Sequence, residues 1–473
     1  MGKVIRADYQ KIFLLPPALE DWVGPDHPAR FIRDFVNSLD LDKLGFKIPE
    51  AYEGRPPYAT DLLLRVWLYG YMRKIRHLRP LEEACRNDFG FIWLTGMNHP
   101  DHNTLWRFWV DNEKVFKMVY RQVLYVALKF ELVGMVLHAL DGTKIAVSLS
   151  KKKLWRRKEL KKLLLELEVA VAEIMAETRR GLEGEITEEY HLSEEFSDST
   201  ARLDKIKEVL FELDRVERDY LHPVDKEARL MKSVNYSGMA YNAQAVVDDQ
   251  SGLIVAEDVV NDEADNSQLV SMTSQAKDNL GAAPEETVAD AGYYAPEQLA
   301  KAEEGNISVL VNLPSHVAGK QVEEQFGKGR FQYDERADKY LCPLGRELTF
   351  EGTKKASHGN YRLRSYRCHY WRDCPQRERC SSDKKGRKIE RGEYEEAVER
   401  QRLKQADIGA REKLKKRKEV VELVFGQIKE HGEFRCWSLR GLAGVRAQWT
   451  MICTAFNLRK LYRQWLVGKV AFA

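Results

Sequence analysis

Val133-Gly134-Met135-Val136-Leu137-His138-Ala139-Leu140-Asp141-Gly142-Thr143 decides the fold. An apolar run of strand length ends there on a carboxylate. A second short run, Thr287-Val288-Ala289, ends on Asp290 and continues as Ala291-Gly292-Tyr293. A third acid, Glu422, lies in Val420-Val421-Glu422-Leu423-Val424-Phe425-Gly426-Gln427-Ile428-Lys429, which has helical apolar spacing. Two carboxylates at strand ends and one on a packed helix can converge on hard divalent cations, which prefer oxygen ligands.

Working outward, the sequence between the two aspartates reads as strand Tyr241-Asn242-Ala243-Gln244-Ala245-Val246-Val247, a turn at Asp248-Asp249-Gln250-Ser251-Gly252, and a return strand from Leu253. A helix over 268–280 follows. Asp265 stands just before it and reads as a helix cap, together with Asn266 or Ser267, rather than as a further active acid. After Asp290 come a helix from Pro296 and a strand over 307–311. This alternation predicts a mixed α/β sheet with 131–150 supplying its opening strand and 233–314 continuing it.

Residues 1–130 read as an all-α N-terminal domain of short helices. Thr60 or Asp61 and Asn103 or Thr104 are the expected caps. Arg73, Lys74, Arg76, His77, Arg79 and Arg86 make it a candidate DNA-reading unit, and a plain helical bundle is equally compatible. His102 suits a turn or a phosphate contact, and Trp106 and Trp109 suit the core. Residues 151–232 interrupt the sheet with two stretches of helical leucine spacing around Gly181 and Gly184, a helical-hairpin insertion. Residues 315–410 read as a basic, cysteine-bearing insertion of low order. Residues 411–473 hold the Glu422 helix, expected over 411–431, and a closing helix over 447–467.

The chain of 473 residues has a net charge of only +3, but its charge is segregated. Residues 155–230 hold 14 Lys and Arg against 20 Asp and Glu, whereas 353–418 hold 22 against 10. Screening confines charge effects to about 8–10 Å, so local charge is what a polyanion meets. Tyr361, Tyr366, Tyr370 and Trp371 interleave the basic segment, as a phosphate backbone with unpaired bases would suit; a solvated charged face is the other reading. No stretch is apolar enough to span a bilayer, and Met1-Gly2-Lys3-Val4-Ile5-Arg6 lacks a signal-peptide core, so a cytoplasmic location is expected. Seven cysteines, an odd number, argue against a disulfide framework.

Asp141-Gly142-Thr143, Ala289-Asp290-Ala291-Gly292-Tyr293 and Glu422 with Lys429 resemble, as an ordered set, the signatures of DDE transposases of bacterial insertion sequences (the insertion-sequence-four/five-like superfamily). Gly54-Arg55-Pro56-Pro57-Tyr58, Leu68-Tyr69-Gly70-Tyr71 and Pro100-Asp101-His102-Asn103-Thr104 look like that group's N-terminal domain. Ser438-Leu439-Arg440-Gly441-Leu442 and Asn457-Leu458 fit its tail. The likeness runs from about residue 18 to residue 463.

The resemblance implies a ribonuclease-H-like core with two Mg2+ or Mn2+ ions. Asp141 would bridge them, and Asp290 and Glu422 would each hold one. It implies binding of double-stranded DNA at terminal inverted repeats, end cleavage, transfer of the 3′-hydroxyl to target DNA, and a homodimer in the DNA complex. It implies no membrane and no small-molecule substrate, and a nucleoid-associated bacterial protein. Lys429, Arg417, Lys418, Lys415 and Arg440 are the expected DNA contacts. Many relatives place Tyr and Arg seven and four residues before the Glu; here Lys415 and Lys418 stand there, with Arg417 adjacent, and Lys lacks the planar fork of Arg. A catalytically retired DNA-binding protein and a nuclease or resolvase on the same fold are the competing readings. Cys342, Cys368, Cys374 and Cys380 admit either a structural zinc site or free thiols, their gaps being wider than usual zinc pairs.

Overall fold

The apolar run before Asp141 forms a strand that does not stop at the acid. The computed structural model describes residues 18–49, 56–182, 194–233, 236–314, 326–356 and 361–472. Its chain opens with helices α1 (Pro28–Asn37), α2 (Thr60–Met72), α3 (Leu78–Asn87), α4 (Phe89–Thr95), α5 (His102–Asn112) and α6 (Phe116–Lys129), then enters β1 (Leu137–Val147). Asp141 is the fifth residue of this eleven-residue strand, not its end. Backbone pairing, which runs on to Ala146 opposite Ala240, sets the strand's length, whereas side-chain apolarity ends at the acid.

The helical hairpin is present. Strands β2 (Trp155–Arg156) and β3 (Tyr220–Leu221) pair at its base, and α7 (Arg157–Leu182) packs on α8 (Glu194–Arg215) through Leu160, Ile206, Val209 and Leu213. Gly181 falls inside α7, and Gly184 lies outside the described residues.

The sheet then continues with β4 (Arg229–Ser233), β5 (Tyr236–Asp248), β6 (Ile254–Val260), α9 (Leu269–Leu280), β7 (Glu286–Ala289), α10 (Pro296–Glu304) and β8 (Val309–Val311). Strand β5 lies antiparallel between β1 and β6, while β7 runs parallel to β1 and β8 parallel to β7. The order is therefore β6-β5-β1-β7-β8, with β4 beside the start of β5.

The low order expected of 315–410 is not what the described part of that stretch shows. Strands β9 (Gln332–Asp334), β10 (Lys339–Leu341), β11 (Glu347–Lys355) and β12 (Arg362–Cys368), the short helix α11 (Arg377–Cys380) and β13 (Lys388–Gly392) build a five-stranded antiparallel unit. It has a core of its own, Phe331, Tyr340, Leu348, Tyr366, Cys368 and Ile389. Asp338 pins that core by accepting from the hydroxyls of Tyr366 (2.6 Å) and Tyr333 (2.8 Å). Most of its outward positions are Arg, Lys or Glu, which hides the strand alternation in the sequence. Helix α12 (Glu395–Ala406) belongs to the main core instead. Gln401 donates to Val309 O (2.7 Å) and accepts from Val311 N–H (3.3 Å), so an amide side chain closes the exposed edge of β8.

Helix α13 (Ile408–Gly426) packs on the main sheet and runs into a π turn, Gln427–His431. After β14 (Cys436–Trp437), which pairs with the end of β1, helix α14 (Leu442–Leu466) lies between the sheet and the N-terminal helices. Buried Asn457 accepts from Ile254 N–H (2.9 Å) and donates to Ile254 O (2.7 Å), and Arg459 caps α2 at the carbonyls of Tyr71 and Met72. One hydrophobic core thus runs through the N-terminal helices, the sheet and α14.

The caps depart from expectation. Helix α2 starts after Ala59 without a side-chain cap, and the Thr60 hydroxyl donates to Lys47 O (2.9 Å). Asp101, rather than Asn103 or Thr104, caps α5 by accepting from Thr104 N–H (2.7 Å). His102 pairs with Glu82 (2.7 Å). Trp109 is buried among Trp67, Tyr71 and Phe116, but Trp106 is 41% exposed.

Glu257 sits in the core beneath α14, where the Thr450 hydroxyl donates to it (2.9 Å). Burial pushes its carboxyl up to about 8. A raised folded-state value means stability is complete below the unfolded carboxyl's range and is lost as pH rises toward 8. Urea unfolding should show stability falling between pH 5 and 8, at up to about 1.4 kcal/mol per pH unit. Glu257→Gln should flatten that slope, and an unchanged slope would refute the assignment.

Candidate active site

Asp141 and Asp290 are brought together because β1 and β7 are adjacent and parallel. Asp141 is half-buried. Its Oδ1 accepts from Gly142 N–H (2.8 Å), and its Oδ2 accepts from the Arg417 guanidinium on α13 (2.9 Å). Burial lifts its carboxyl to about 6; Arg417 pulls it down, and the nearby Asp290 charge pushes it up. Asp290 follows β7 and caps a single 3-10 turn, Ala291–Tyr293, accepting from Gly292 N–H (2.8 Å). That capping bond uses one oxygen and leaves the other for a ligand.

Glu422 does not join them. It is exposed and pairs only loosely with Lys418, one turn back on α13 (3.7 Å). The helix phase explains this. Arg417, Val421, Val424 and Ile428 form the face laid on the sheet. Glu422 stands five residues beyond Arg417, roughly 140° round an ideal helix. Among the described residues, no three His, Cys, Asp or Glu side chains are arranged to hold a metal ion. The donors that do meet are nonetheless of the right kind. Two carboxylates with free oxygen lone pairs fit a hard cation whose remaining positions go to phosphate and water. Arg417 already places positive charge on Asp141.

Lys429 lies on the π turn, and its ammonium donates to Thr143 Oγ1 and lies 3.5 Å from Lys144 O. Burial lowers its pKa, against the pull of Glu430 and Asp141. It thus reaches the strand two residues from Asp141, while Lys415, Lys418 and Arg440 stay exposed. Of the basic residues expected to read DNA in the N-terminal helices, Arg76 instead donates to Gly432 O and lies over Phe434, and Lys74 pairs with Glu433 (3.2 Å).

Asp265 was expected to cap a helix, and it does not. Gln268 occupies the cap position of α9 without a side-chain bond. Asp265 Oδ1 instead accepts from Asn242 Nδ2 (2.6 Å) and Gln244 Nε2 (2.7 Å), with Lys144 Nζ at 3.5 Å. Gln244 in turn accepts from the hydroxyl of buried Tyr293. Sequence reasoning missed these residues. The available signal was two amides, Asn242 and Gln244, alternating in an otherwise apolar strand, since buried amides need partners.

Comparison with known families decides the class. Residues 17–110 match a transposase domain, and residues 341–462 match a transposase DDE domain. Two separate segments of the chain are thus similar to transposase domains. The resemblance to DDE-type insertion-sequence transposases, with their N-terminal domain, therefore holds at both ends of the chain. The DDE-domain match covers Arg417, Glu422 and Lys429, whereas Asp141 and Asp290 lie before it. No curated protein and no solved structure matches the chain. No described helix is long and apolar enough to cross a membrane.

Cys342, Cys368, Cys374 and Cys380 lie at one end of the small sheet. Burial raises the Cys368 and Cys380 thiols, and the other three cysteines raise Cys380 further. Cys342 Sγ accepts from Leu344 N–H (3.4 Å) and Arg346 N–H (3.3 Å).

Gly142 has no room for a side chain. A Cβ there would lie 2.3 Å from Gln244 Nε2 and 2.9 Å from Asp265 Oδ1. Gly142→Ala should cost about 1–3 kcal/mol in urea unfolding. A wild-type midpoint would show that the polar cluster beside Asp141 is loose.

Proposed function

We propose that the chain is a DNA transposase that binds the terminal inverted repeats of an insertion sequence, cleaves its ends and joins the freed 3′-hydroxyl to target DNA. The observation that carries this reading is the meeting of Asp141 on β1 with Asp290 just after the adjacent parallel strand β7, with Arg417 and Lys429 delivered to β1 by the segment that matches the DDE domain. The order β6-β5-β1-β7-β8, three antiparallel strands followed by two parallel ones, supports a ribonuclease-H-like core.

Asp141 and Asp290 would hold divalent metal, Mg2+ or Mn2+. Glu422 would complete the set; its solvent-exposed pair with Lys418 is a weak tether. When bound, such ions stabilise the entering and leaving oxygens of the phosphodiester and favour deprotonation of the attacking water or 3′-hydroxyl. The chain's own groups do the rest. The carboxylate of Asp141 must be ionised, and Arg417 favours that state. Released from Asp141, the Arg417 fork can take a phosphate in two-point contact, a role Lys418 cannot supply. Lys429, held at Thr143, supplies positive charge beside the scissile phosphate, and Lys415 and Arg440 extend contact along the duplex. Joining two ends needs two such sites, hence at least two copies in the DNA complex. Such a protein would work at the bacterial nucleoid. Zinc on Cys342, Cys368, Cys374 and Cys380 would be a separate, structural matter, and bound-metal analysis of Cys→Ser variants tests it.

Incubation with inverted-repeat ends and Mg2+ should yield cut and joined strands. Asp141→Asn and Glu422→Gln should each reduce cleavage by at least about a thousandfold while end binding in a mobility-shift assay persists. Normal cleavage by Asp141→Asn would refute the site; normal cleavage by Glu422→Gln would remove that residue alone. Hydrolysis without joining would mark a nuclease.

A further inference from the structure

We propose that Asp265 is a positioning residue that fixes the separation of the Asp141 and Asp290 carboxylates. This rests on the proposed role of those two acids. One carboxylate contacts two of the elements that matter and lies beside the third. On the β1 side, Asp265 Oδ1 lies where a Cβ on Gly142 would be 2.9 Å away, next to Asp141 in sequence, and Lys144 Nζ lies 3.5 Å from the same oxygen. On β5, the same Oδ1 accepts from Asn242 and Gln244, which stand opposite Lys144 and Gly142 in the strand register. On the β7 side, Oδ2 faces Gly292, where a Cβ would lie 3.7 Å from it and 3.0 Å from Asp290 Oδ1. The link to that turn closes through Gln244 Oε1, which accepts from Tyr293, three residues after Asp290.

The arrangement answers a physical need. Asp141 and Asp290 repel one another when both are ionised, so the spacing of the pair depends on how the backbones beneath it are tied. Strands β1 and β7 are paired only over Leu137–Ala139, so their ladder ends before either acid. The chain Asp141–Gly142, Asp265, Gln244, Tyr293, Asp290 spans the gap that the ladder leaves open. Because Oδ1 is committed to two amides, Asp265 acts through its acceptor geometry, and a neutral side chain of the same shape can do the same work.

That distinguishes it from a metal-holding acid, which needs its charge. The test compares Asp265→Ala, Asp265→Asn and Tyr293→Phe in the full chain. The metal-free readout is hydrogen exchange in β1 and in the turn after Asp290; the second is Mn2+ binding by calorimetry. Asp265→Ala should speed exchange at both segments and weaken Mn2+ binding by at least about tenfold, in the range typical of residues that orient metal-holding groups. Asp265→Asn should restore both to within about threefold of wild type. Tyr293→Phe, which removes one hydroxyl and folds conservatively, should move both in the direction of Asp265→Ala. Wild-type exchange in Asp265→Ala, or Asp265→Asn as impaired as Asp265→Ala, would overturn the inference. If the unaltered chain binds no Mn2+, the metal reading fails, and the exchange pattern still decides the role of Asp265.

Discussion

Two like charges held close together in a half-buried position are the constraint around which this molecule is organised. Asp141 and Asp290 each lower the comfort of the other, and burial sharpens the conflict by raising the cost of ionising Asp141. Such a pair persists only if something positive compensates it and something rigid holds it. Arg417 supplies the charge from α13. The rigidity comes from the sheet and from the polar cluster under Gly142, where no side chain larger than hydrogen fits.

The rest of the chain makes sense as support for that pair. Helix α14 carries Asn457 and Arg459, which tie the sheet and the N-terminal helices to one spine. Helix α12 seals the edge of β8 with Gln401. The π turn after α13 interrupts the helix phase and delivers Lys429 to Thr143, while Glu422, two turns earlier by count, stays outside. Single π turns are frequent at functional sites because they redirect one side chain without breaking the helix. The basic sheet β9–β13 has its own small core and presents charged positions outward, as a surface for a polyanion would.

The mixed sheet and the hairpin were legible because apolar runs ending on acids, turn residues and leucine spacing are local signals; the transposase class was legible through the resemblance of the ordered motifs around Asp141, Asp290 and Glu422 to that family. The pairing of Asp141 with Asp290 followed from them. What escaped is non-local. An acid before a helix looks like a cap, and only tertiary contact with Asn242 and Gln244 gives Asp265 another role. The arginine expected four residues before Glu422 is replaced by Lys418, yet Arg417, one residue away, meets Asp141 because it lies on the packed face. The small sheet was unreadable because Arg, Lys and Glu at its outward positions mask the strand alternation. That Glu422 would be on a helix was readable; which way it would point depended on packing.

The central claim is that Asp141 and Asp290 are the permanent half of a metal site. Diffraction from crystals of the chain with an inverted-repeat end, soaked in Mn2+ and recorded at the manganese edge, tests it most directly. An anomalous peak within about 2.0–2.2 Å of a carboxylate oxygen of each aspartate, with Arg417 displaced from Asp141, is the predicted result. Manganese bound elsewhere on the protein, with Arg417 still on Asp141, would contradict it.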